Sequence, residues 1–458
     1  MTAAVARYER AARKVQADAR VPALSVALYR PDREPWAFTV GTSGNPDRPL
    51  DPGSRFRIGS VTKTFTAVLV LQARDDGLLG LDDPIGEHVD VPAHGDATIR
   101  RLLSHTAGFQ REPYGDVWDT LVAPDAAGLL ADLNRAERVL PNARRFHYSN
   151  LAVAVLGQTV ARLRGATWEA LVTDRVLAPL GLSATSVQPP PEAVTGYLVD
   201  AYSDAAKPEP QLDLGGVAPA AQLWSTAADM ARWAAFLAGP DQVDPGHRVL
   251  DPATVDEMRW PVTTTDEQLW SAGFGLGLIL QPAGKRVVHV GHDGAMPGFL
   301  AGVYGRRGGD GNPGALGCAV LGSSGTAAEI NELPHELLRL ATELDPAEIT
   351  PWTPGPLAPE PYRSVLGQWW SEGFPYVFAW HDGALQARTA DAPADRPPAV
   401  FRPLPDGPDL LRTVSGREAG ELLRLSRDER GVVIRMHWAT YRLTREQETF
   451  EGATFATG

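Results

Sequence analysis

The stretch FRIGSVTKTFTA at residues 56–67 places a serine, Ser60, three residues before a lysine, Lys63. The apolar residues that follow recur at helical spacing as far as Gly77. The sequence therefore predicts a helix that begins near Ser60 and carries Lys63 one turn along, on the same face.

A lysine is unusual in this chain. Only four of the 43 lysine and arginine residues are lysines, namely Lys14, Lys63, Lys207 and Lys285. A neutral lysine amine can take the proton of a serine hydroxyl, whereas an arginine stays protonated. Burial and the positive end of a helix dipole would both favour the neutral amine. This pair predicts a nucleophile, Ser60, and its base, Lys63. The alternative is a chance tetrapeptide in which Ser60 only caps a helix.

A second polar group opens another predicted helix, in the stretch FHYSNLAVAVLG. Tyr148 is a candidate for proton relay between the nucleophile and the leaving group, and the Asn150 amide is a candidate for holding Lys63 or a substrate carbonyl. The alternative here is a helix cap made by Ser149 or Asn150, with Tyr148 in a packing role.

A third group, His292-Asp293-Gly294, ends an apolar strand in RVVHVGHDGAMPGF. Gly294 would let a substrate lie close to the strand edge, and His292 adds a polar group there. The backbone N–H of Ala295 is a candidate partner for that of Ser60 in an oxyanion hole. The same tripeptide recurs at residues 381–383 between two short predicted strands, where Asp-Gly indicates a hairpin turn.

The wider pattern predicts two domains joined by a linker. Predicted strands lie at 23–30 and 35–41 and again after 273, and predicted helices lie between them and at both ends. This pattern indicates an α/β (α+β) catalytic domain over residues 1–345. Its expected architecture is an antiparallel sheet with flanking helices and a helical lobe. Prolines crowd residues 346–362, which predicts a linker free of helix. Short alternating segments over 363–458 predict a small antiparallel β-barrel.

Composition narrows the class of protein. The net charge of -13 argues against nucleic acid or an anionic membrane as a partner. The single cysteine, Cys318, lies in an apolar stretch and is predicted to be a core residue. We find no signal-peptide pattern and no apolar run of membrane-spanning length, so we expect a cytoplasmic protein. The ten histidines show no ligand spacing, so neither a metal nor another cofactor is expected.

The ordered motifs SxxK, YxN and HxG resemble those of the serine penicillin-recognising enzymes, which include class C β-lactamases and D-alanyl-D-alanine carboxypeptidases. Flanking text such as DDGLLGLDDPIGEHV, TIRRLLSHTAGF and AQLWSTAADMARW is also similar, and the resemblance covers roughly residues 5 to 345. It implies an acyl-enzyme on Ser60, with Lys63 as base and Tyr148 sharing proton transfer. It also implies that Asn150 orients the substrate.

The third motif departs from the penicillin-directed pattern, because His292 stands where those enzymes usually carry lysine. A histidine need not be charged at neutral pH, so the departure favours esterase, D-peptidase and peptide cyclase branches over a β-lactamase. The C-terminal stretch LGQWWSEGFPYVFAWHDGALQAR resembles a lipocalin-like domain, a layout similar to stand-alone penicillin-binding-protein-type thioesterases, which cyclise nonribosomal peptides.

Three functions follow as alternatives. The first is a thioesterase that accepts a peptidyl chain with a D-residue and releases it by macrocyclisation, with a peptidyl carrier protein as one route of delivery. The second is a cytoplasmic hydrolase of esters or D-amino-acid peptides. The third is a non-catalytic binding module, which would be expected to carry a damaged motif.

Overall fold

The computed structural model describes residues 3–91, 93–140, 145–191, 193–284, 286–308, 314–346, 351–371, 373–393, 396–449 and 451. The chain separates into two compact units, residues 1–348 and residues 349–458. Each unit has its own apolar core. No helix in the described ranges is both long and apolar enough to cross a bilayer.

The first unit is built on an eight-stranded antiparallel sheet with the strand order β2-β1-β12-β11-β10-β9-β8-β7. The short strands β3 and β6 pair with each other outside it, as do β4 and β5. The strands are β1 Ala23–Tyr29, β2 Trp36–Gly41, β3 Phe56–Arg57, β4 Tyr197–Val199, β5 Ala206–Pro208, β6 Trp224–Ser225, β7 Thr263–Thr264, β8 Gly273–Phe274, β9 Ile279–Pro282, β10 Val288–Met296, β11 Phe299–Arg307 and β12 Leu316–Gly322.

Helices cover both faces of this sheet and form a lobe beside it. The terminal helices α1 and α13 bury their apolar stripes on one face, and α10 packs on the other, while α2 and α6 belong to the lobe. The helices are α1 Ala3–Asp18, α2 Thr62–Asp75, α3 Ile99–Leu103, α4 Val117–Thr120, α5 Ala126–Asp132, α6 Asn150–Arg164, α7 Trp168–Val172, α8 Ala178–Leu180, α9 Ala218–Ala221, α10 Ala227–Ala238, α11 Pro240–Val243, α12 Pro252–Met258 and α13 Glu329–Leu344.

This architecture confirms the predicted fold class, and two strands differ in detail. The stretch 274–280 is interrupted as a strand, because Gly277 has a φ of +77° and the Gly275 N–H bonds back to the carbonyl of Leu278. Strand β10 continues to Met296, so His292-Asp293-Gly294 lies inside the strand rather than at its end. Cys318 is fully buried in β12, as predicted, and burial raises the pKa of its thiol.

The second unit is a nearly closed all-β barrel of eight antiparallel strands in sequential order. Trp370 in the first strand and Thr444 after the last exchange two backbone hydrogen bonds of 2.8 and 3.0 Å, which join the ends of the sheet. Apolar side chains such as Trp369, Phe378 and Phe401 fill its interior. The strands are β13 Gly367–Ser371, β14 Phe374–His381, β15 Ala384–Thr389, β16 Ala399–Leu404, β17 Gly407–Ser415, β18 Leu422–Arg427, β19 Val433–Trp438 and β20 Tyr441–Leu443.

The predicted linker is partly wrong at its C-terminal end. A one-turn helix, α14, spans Glu360–Arg363, and its Tyr362 is buried in the barrel core. Pro361 sits in the first turn, where its missing N–H has no helical partner to lose, so the proline is tolerated. Residues 351–359 have no regular structure, and residues 347–350 lie outside the described part of the chain.

Candidate active site

Ser60 lies in a single 3₁₀ turn, Gly59–Val61, that leads directly into α2. The cap position of α2 is Val61 and makes no side-chain cap bond, so the helix-cap alternative for Ser60 is wrong. Instead, the Ser60 Oγ accepts a hydrogen bond of 2.9 Å from Lys63 Nζ. The three-residue spacing thus brings the hydroxyl and the amine together, as the sequence predicts.

Lys63 is almost completely buried, with 1% of its surface exposed. Its Nζ donates a second hydrogen bond of 2.8 Å to the carbonyl oxygen of Ala220, and it lies 4.9 Å from the centroid of the Tyr148 ring. Burial lowers the pKa of Lys63 to about 7, with the charge of Arg111 acting in the same direction and that of Glu112 opposing it. A large fraction of the amine is therefore neutral near pH 7 and able to accept a proton.

Tyr148 stands one residue before the cap of α6. Burial raises the pKa of Tyr148, and Ser60 is close enough to the phenol for its side chain to oppose part of that rise. The phenol therefore stays protonated and can donate to the nucleophile or a leaving group. The cap of α6 is the neighbouring Ser149, whose Oγ accepts from the Ala152 N–H at 3.0 Å. The cap and the candidate relay are therefore adjacent residues with separate tasks.

Asn150 does not hold Lys63. Its Nδ2 donates to Glu112 Oε1 at 2.7 Å, and its Oδ1 is buried without a hydrogen-bond partner in the described residues. Burial raises the pKa of Glu112, and the bond from Asn150 opposes that rise. The amide group of Asn150 is thereby oriented with its oxygen free.

The third motif reaches Ser60 through two close backbone contacts. A Cβ on Gly294 would lie 2.0 Å from the carbonyl oxygen of Ile58, and one on Gly59 would lie 2.6 Å from the backbone nitrogen of Ala295. Gly59 also has a φ of +50°. Only glycine fits either position, so β10 and the Ser60 turn lie in direct backbone contact.

The hairpin of β10 and β11 sets the direction in which Ala295 points. Met296 pairs with Phe299 across a two-residue loop, and Ala295 pairs with Leu300. Hydrogen-bonded and non-hydrogen-bonded pairs alternate along such a ladder, and the pair that closes a two-residue loop is hydrogen-bonded. The N–H of Ala295 therefore points away from β11, toward Gly59 and Ser60, where an oxyanion would need a donor.

His292 is buried beside Tyr148, with their ring centroids 6.0 Å apart. Its Nδ1 lies 2.6 Å from the carbonyl oxygen of Asp293, an acceptor, so Nδ1 carries the proton. Burial, reinforced by the charge of Lys63, lowers the pKa of His292 to about 3. At neutral pH this side chain supplies no positive charge.

Sequence reasoning missed several groups at this site. His105 packs 4.5 Å from the Tyr148 ring and accepts a 3.1 Å hydrogen bond from the Ser149 N–H, and burial lowers its pKa well below the usual range. Glu112 and the carbonyl of Ala220 were missed as well. The stretch SHTAGF contained His105, but nothing local to it indicated that its ring would pack on Tyr148.

The geometry combines a nucleophile, a buried amine that is partly neutral, a protonated phenol and a backbone N–H directed at the nucleophile. These are the parts of an acyl-transfer site. Among the residues that the structure describes, no group of three or more His, Cys, Asp or Glu side chains is arranged to hold a metal ion.

The family model described as Beta-lactamase matches residues 8–328 of this chain. The chain belongs to the beta-lactamase family. It is of the beta-lactamase and penicillin-binding-protein type. A second model, described as a domain of unknown function, DUF7586, matches residues 358–445 and falls on the barrel.

Two curated relatives share the catalytic part of this beta-lactamase family member. Penicillin-binding protein 4 of Amycolatopsis lactamdurans is 33% identical over 54% of this chain and 67% of its own length. Beta-lactamase-like protein 2 of Dictyostelium discoideum is 28% identical over 52% of this chain. The match spans only 45% of the length of that second relative.

The fold likeness extends through both units in the crystal structure of SurE. It covers 97% of this chain and 99% of SurE, with a TM-score of 0.62 and 24% sequence identity. A second structure of SurE, solved with D-Leu, covers the same shares with a TM-score of 0.57. Because the sequence identity is 24%, this likeness shows the fold alone.

Proposed function

We propose that this protein is a stand-alone thioesterase that accepts a peptidyl group with a D-residue at its acylating end on Ser60 and releases it as a macrocycle. The observation that carries the acyl-transfer part is the 2.9 Å hydrogen bond between Ser60 Oγ and the buried amine of Lys63. An activated serine of this kind forms a covalent acyl-enzyme.

Acylation begins when Ser60 Oγ attacks the thioester carbonyl and its proton passes to the neutral Lys63 Nζ. The carbonyl oxygen takes up the negative charge and is held by the N–H groups of Ser60 and Ala295. Collapse of this intermediate breaks the carbon–sulfur bond, and the thiol leaves with a proton supplied through Lys63 or Tyr148. The peptide is then an ester of Ser60.

Release reverses these roles. The amine at the other end of the peptide attacks the ester carbonyl and loses a proton to the neutral Lys63, and Lys63 passes a proton back to Ser60 Oγ as the ester bond breaks. The product is a cyclic amide with no net gain or loss of water. Holding the two ends of one molecule together makes this attack intramolecular, which gives the amine its advantage over water.

Two observations support this substrate class. The neutral His292 supplies no cation at the position where penicillin-directed enzymes usually carry a carboxylate-binding lysine. The fold likeness to SurE covers both the catalytic unit and the barrel, and SurE has been solved with D-Leu. A carrier-bound peptide is a cytoplasmic substrate, so the proposal includes that location and a peptidyl carrier protein as partner. The barrel is proposed to be lipocalin-like.

Hydrolysis of esters or D-amino-acid peptides is the second candidate. It uses the same acyl-enzyme, with water in place of the amine, and is favoured by the partial exposure of Ser60 to solvent. A non-catalytic binding module is disfavoured, because the nucleophile and the buried amine are hydrogen-bonded to each other and the Tyr148 ring lies 4.9 Å from that amine.

The test is a short peptidyl thioester with a D-residue at its C-terminus and a free N-terminal amine, with the product read by mass spectrometry. A product one water lighter than the free acid supports the cyclase. The linear acid alone supports the hydrolase. Ser60→Ala should give neither product above the rate of spontaneous hydrolysis, and an unchanged thioester with the unmodified enzyme would contradict the proposed substrate class.

A further inference from the structure

The two polar side chains beside Tyr148 both present acceptor atoms. Nδ1 of His292 is committed as a donor to the Asp293 carbonyl, so its Nε2 carries a lone pair. Nδ2 of Asn150 is committed to Glu112, so the free atom of that amide is its oxygen. Both Nε2 of His292 and Oδ1 of Asn150 are buried and lack a hydrogen-bond partner among the described residues.

A buried acceptor without a partner is destabilising, and such atoms at a functional site indicate that the ligand supplies the missing group. The missing group here is a donor. A carboxylate or an ester oxygen supplies none, whereas a peptide amide supplies one N–H at the α-carbon next to the reacting carbonyl.

We propose that Nε2 of His292 accepts the amide N–H of the residue that acylates Ser60, and that this hydrogen bond selects the configuration of that residue. The inference rests on the acyl-enzyme of the proposed function and names what the site recognises in it. His292 is 2% exposed, so a substrate N–H that reaches it is shielded from water and the hydrogen bond is strong.

The enzyme can distinguish D from L residues if it holds enough of the groups around the α-carbon of the acylating residue. The N–H groups of Ser60 and Ala295 fix the carbonyl oxygen, and the ester bond fixes the carbonyl carbon. If His292 also fixes the amide N–H, the two remaining substituents of the α-carbon, hydrogen and side chain, exchange places between D and L residues. Only one configuration then directs the side chain away from the surrounding protein.

The experiment compares three thioesters with the same thiol: N-acetyl-D-leucyl, N-acetyl-L-leucyl, and the depsi analogue of the first, in which oxygen replaces the N–H. We expect the unmodified enzyme to prefer the D-amide over the depsi analogue by roughly ten- to a hundredfold in kcat/KM. In His292→Leu this preference, and with it the preference for D over L, should fall to within about threefold. His292→Gln, whose amide oxygen can accept, should keep part of both.

The matched control is His381→Leu, which alters an exposed histidine of the second His-Asp-Gly copy and should leave all ratios unchanged. The inference is overturned if the unmodified enzyme does not distinguish the amide from the depsi analogue. It is also overturned if His292→Leu slows both substrates by one common factor, which would assign His292 to positioning Tyr148. Failure of any thioester to acylate Ser60 would instead contradict the proposed function. If the leucine variant does not fold, the comparison of the D-amide with its depsi analogue on the unmodified enzyme still decides whether the amide N–H is recognised.

Discussion

The tripeptide His-Asp-Gly occurs twice, and its two copies have unlike structures. Residues 381–383 join β14 to β15, where Asp382 and Gly383 both have positive φ values, +51° and +72°, as a type I′ hairpin turn requires. Residues 292–294 lie within the extended strand β10, where the glycine serves close approach to Ile58. The predicted assignment of the second copy to a turn is confirmed.

The difference teaches that the same residues gain a chemical role only from what the fold places beside them. The first copy adjoins a nucleophile and a buried lysine, whereas the side chain of His381 is exposed to solvent. Substitutions in the two copies, or in the neighbours of the first copy, should therefore have unequal effects.

The largest effect should come from Lys63, the neighbour that the second copy lacks. Lys63→Arg replaces a partly neutral amine with a guanidinium that stays protonated and cannot act as base, so we expect kcat/KM for acylation to fall by roughly 10²–10⁴-fold. Stopped-flow release of the thiol measures it. Lys207→Arg, on an exposed strand, should have no effect. Retained activity in Lys63→Arg would refute the general-base role.

Replacing the glycine of each copy with alanine should lower activity in the first copy and stability in the second. In Gly294→Ala the new Cβ would lie 2.0 Å from the Ile58 carbonyl oxygen and displace the strand from Ser60, so we expect about a hundredfold loss of kcat/KM. In Gly383→Ala the cost is a left-handed residue, about 1–2 kcal/mol of stability, with acylation unchanged. Equal loss of activity in both variants would contradict the comparison.

The pH dependence of the acylation rate tests the environment of Lys63, beside the first copy. Only neutral Lys63 accepts a proton, and its pKa of about 7 means that the neutral fraction grows as pH rises. Acylation should therefore increase about tenfold per pH unit below pH 7 and level off above it. Tyr148 adds no fall near neutral pH, because burial raises its pKa. A rate independent of pH between 5.5 and 7 would show that Lys63 is not the titrating base.

The smallest expected effect is on thermal stability and concerns the aspartates of the two copies, Asp293 and Asp382. Burial raises the pKa of Asp293 to about 6, so the stability it contributes is full below about pH 4 and is lost as pH rises through 6. Asp293→Asn should consequently raise the melting temperature at pH 8 and do so less at pH 4.5. Asp382→Asn, in the turn, should change it little at either pH. A pH-independent effect of Asp293→Asn would contradict the burial of that carboxyl group.

The parts of the site that depend on local pattern were predictable. Helical spacing places Lys63 within reach of Ser60, and an apolar strand carries His292 and Gly294. The fold class followed in the same way, from alternation and helical periodicity. Strand β13 is not predictable from local pattern, because its adjacent aromatic residues Trp369 and Trp370 show no alternation of apolar and polar residues.

The parts that depend on distant contacts could not be predicted. The Ala220 carbonyl that binds Lys63 is 157 residues away in the chain, and Glu112 is 38 residues from Asn150. Of the two roles predicted for the Asn150 amide, holding Lys63 or a substrate carbonyl, the first is wrong, because nothing local to YSN indicates that the Glu112 carboxylate binds the amide nitrogen. The burial that lowers the pKa of Lys63 likewise comes from residues scattered over the lobe.

The most direct test of the central claim is the intact mass of the protein after brief exposure to an activated ester of N-acetyl-D-leucine. The account predicts a single adduct with the mass of the acyl group, located by peptide mapping to Ser60 and absent from Ser60→Ala. An adduct that persists in Ser60→Ala, or that maps to another residue, would contradict the assignment of Ser60 as the nucleophile.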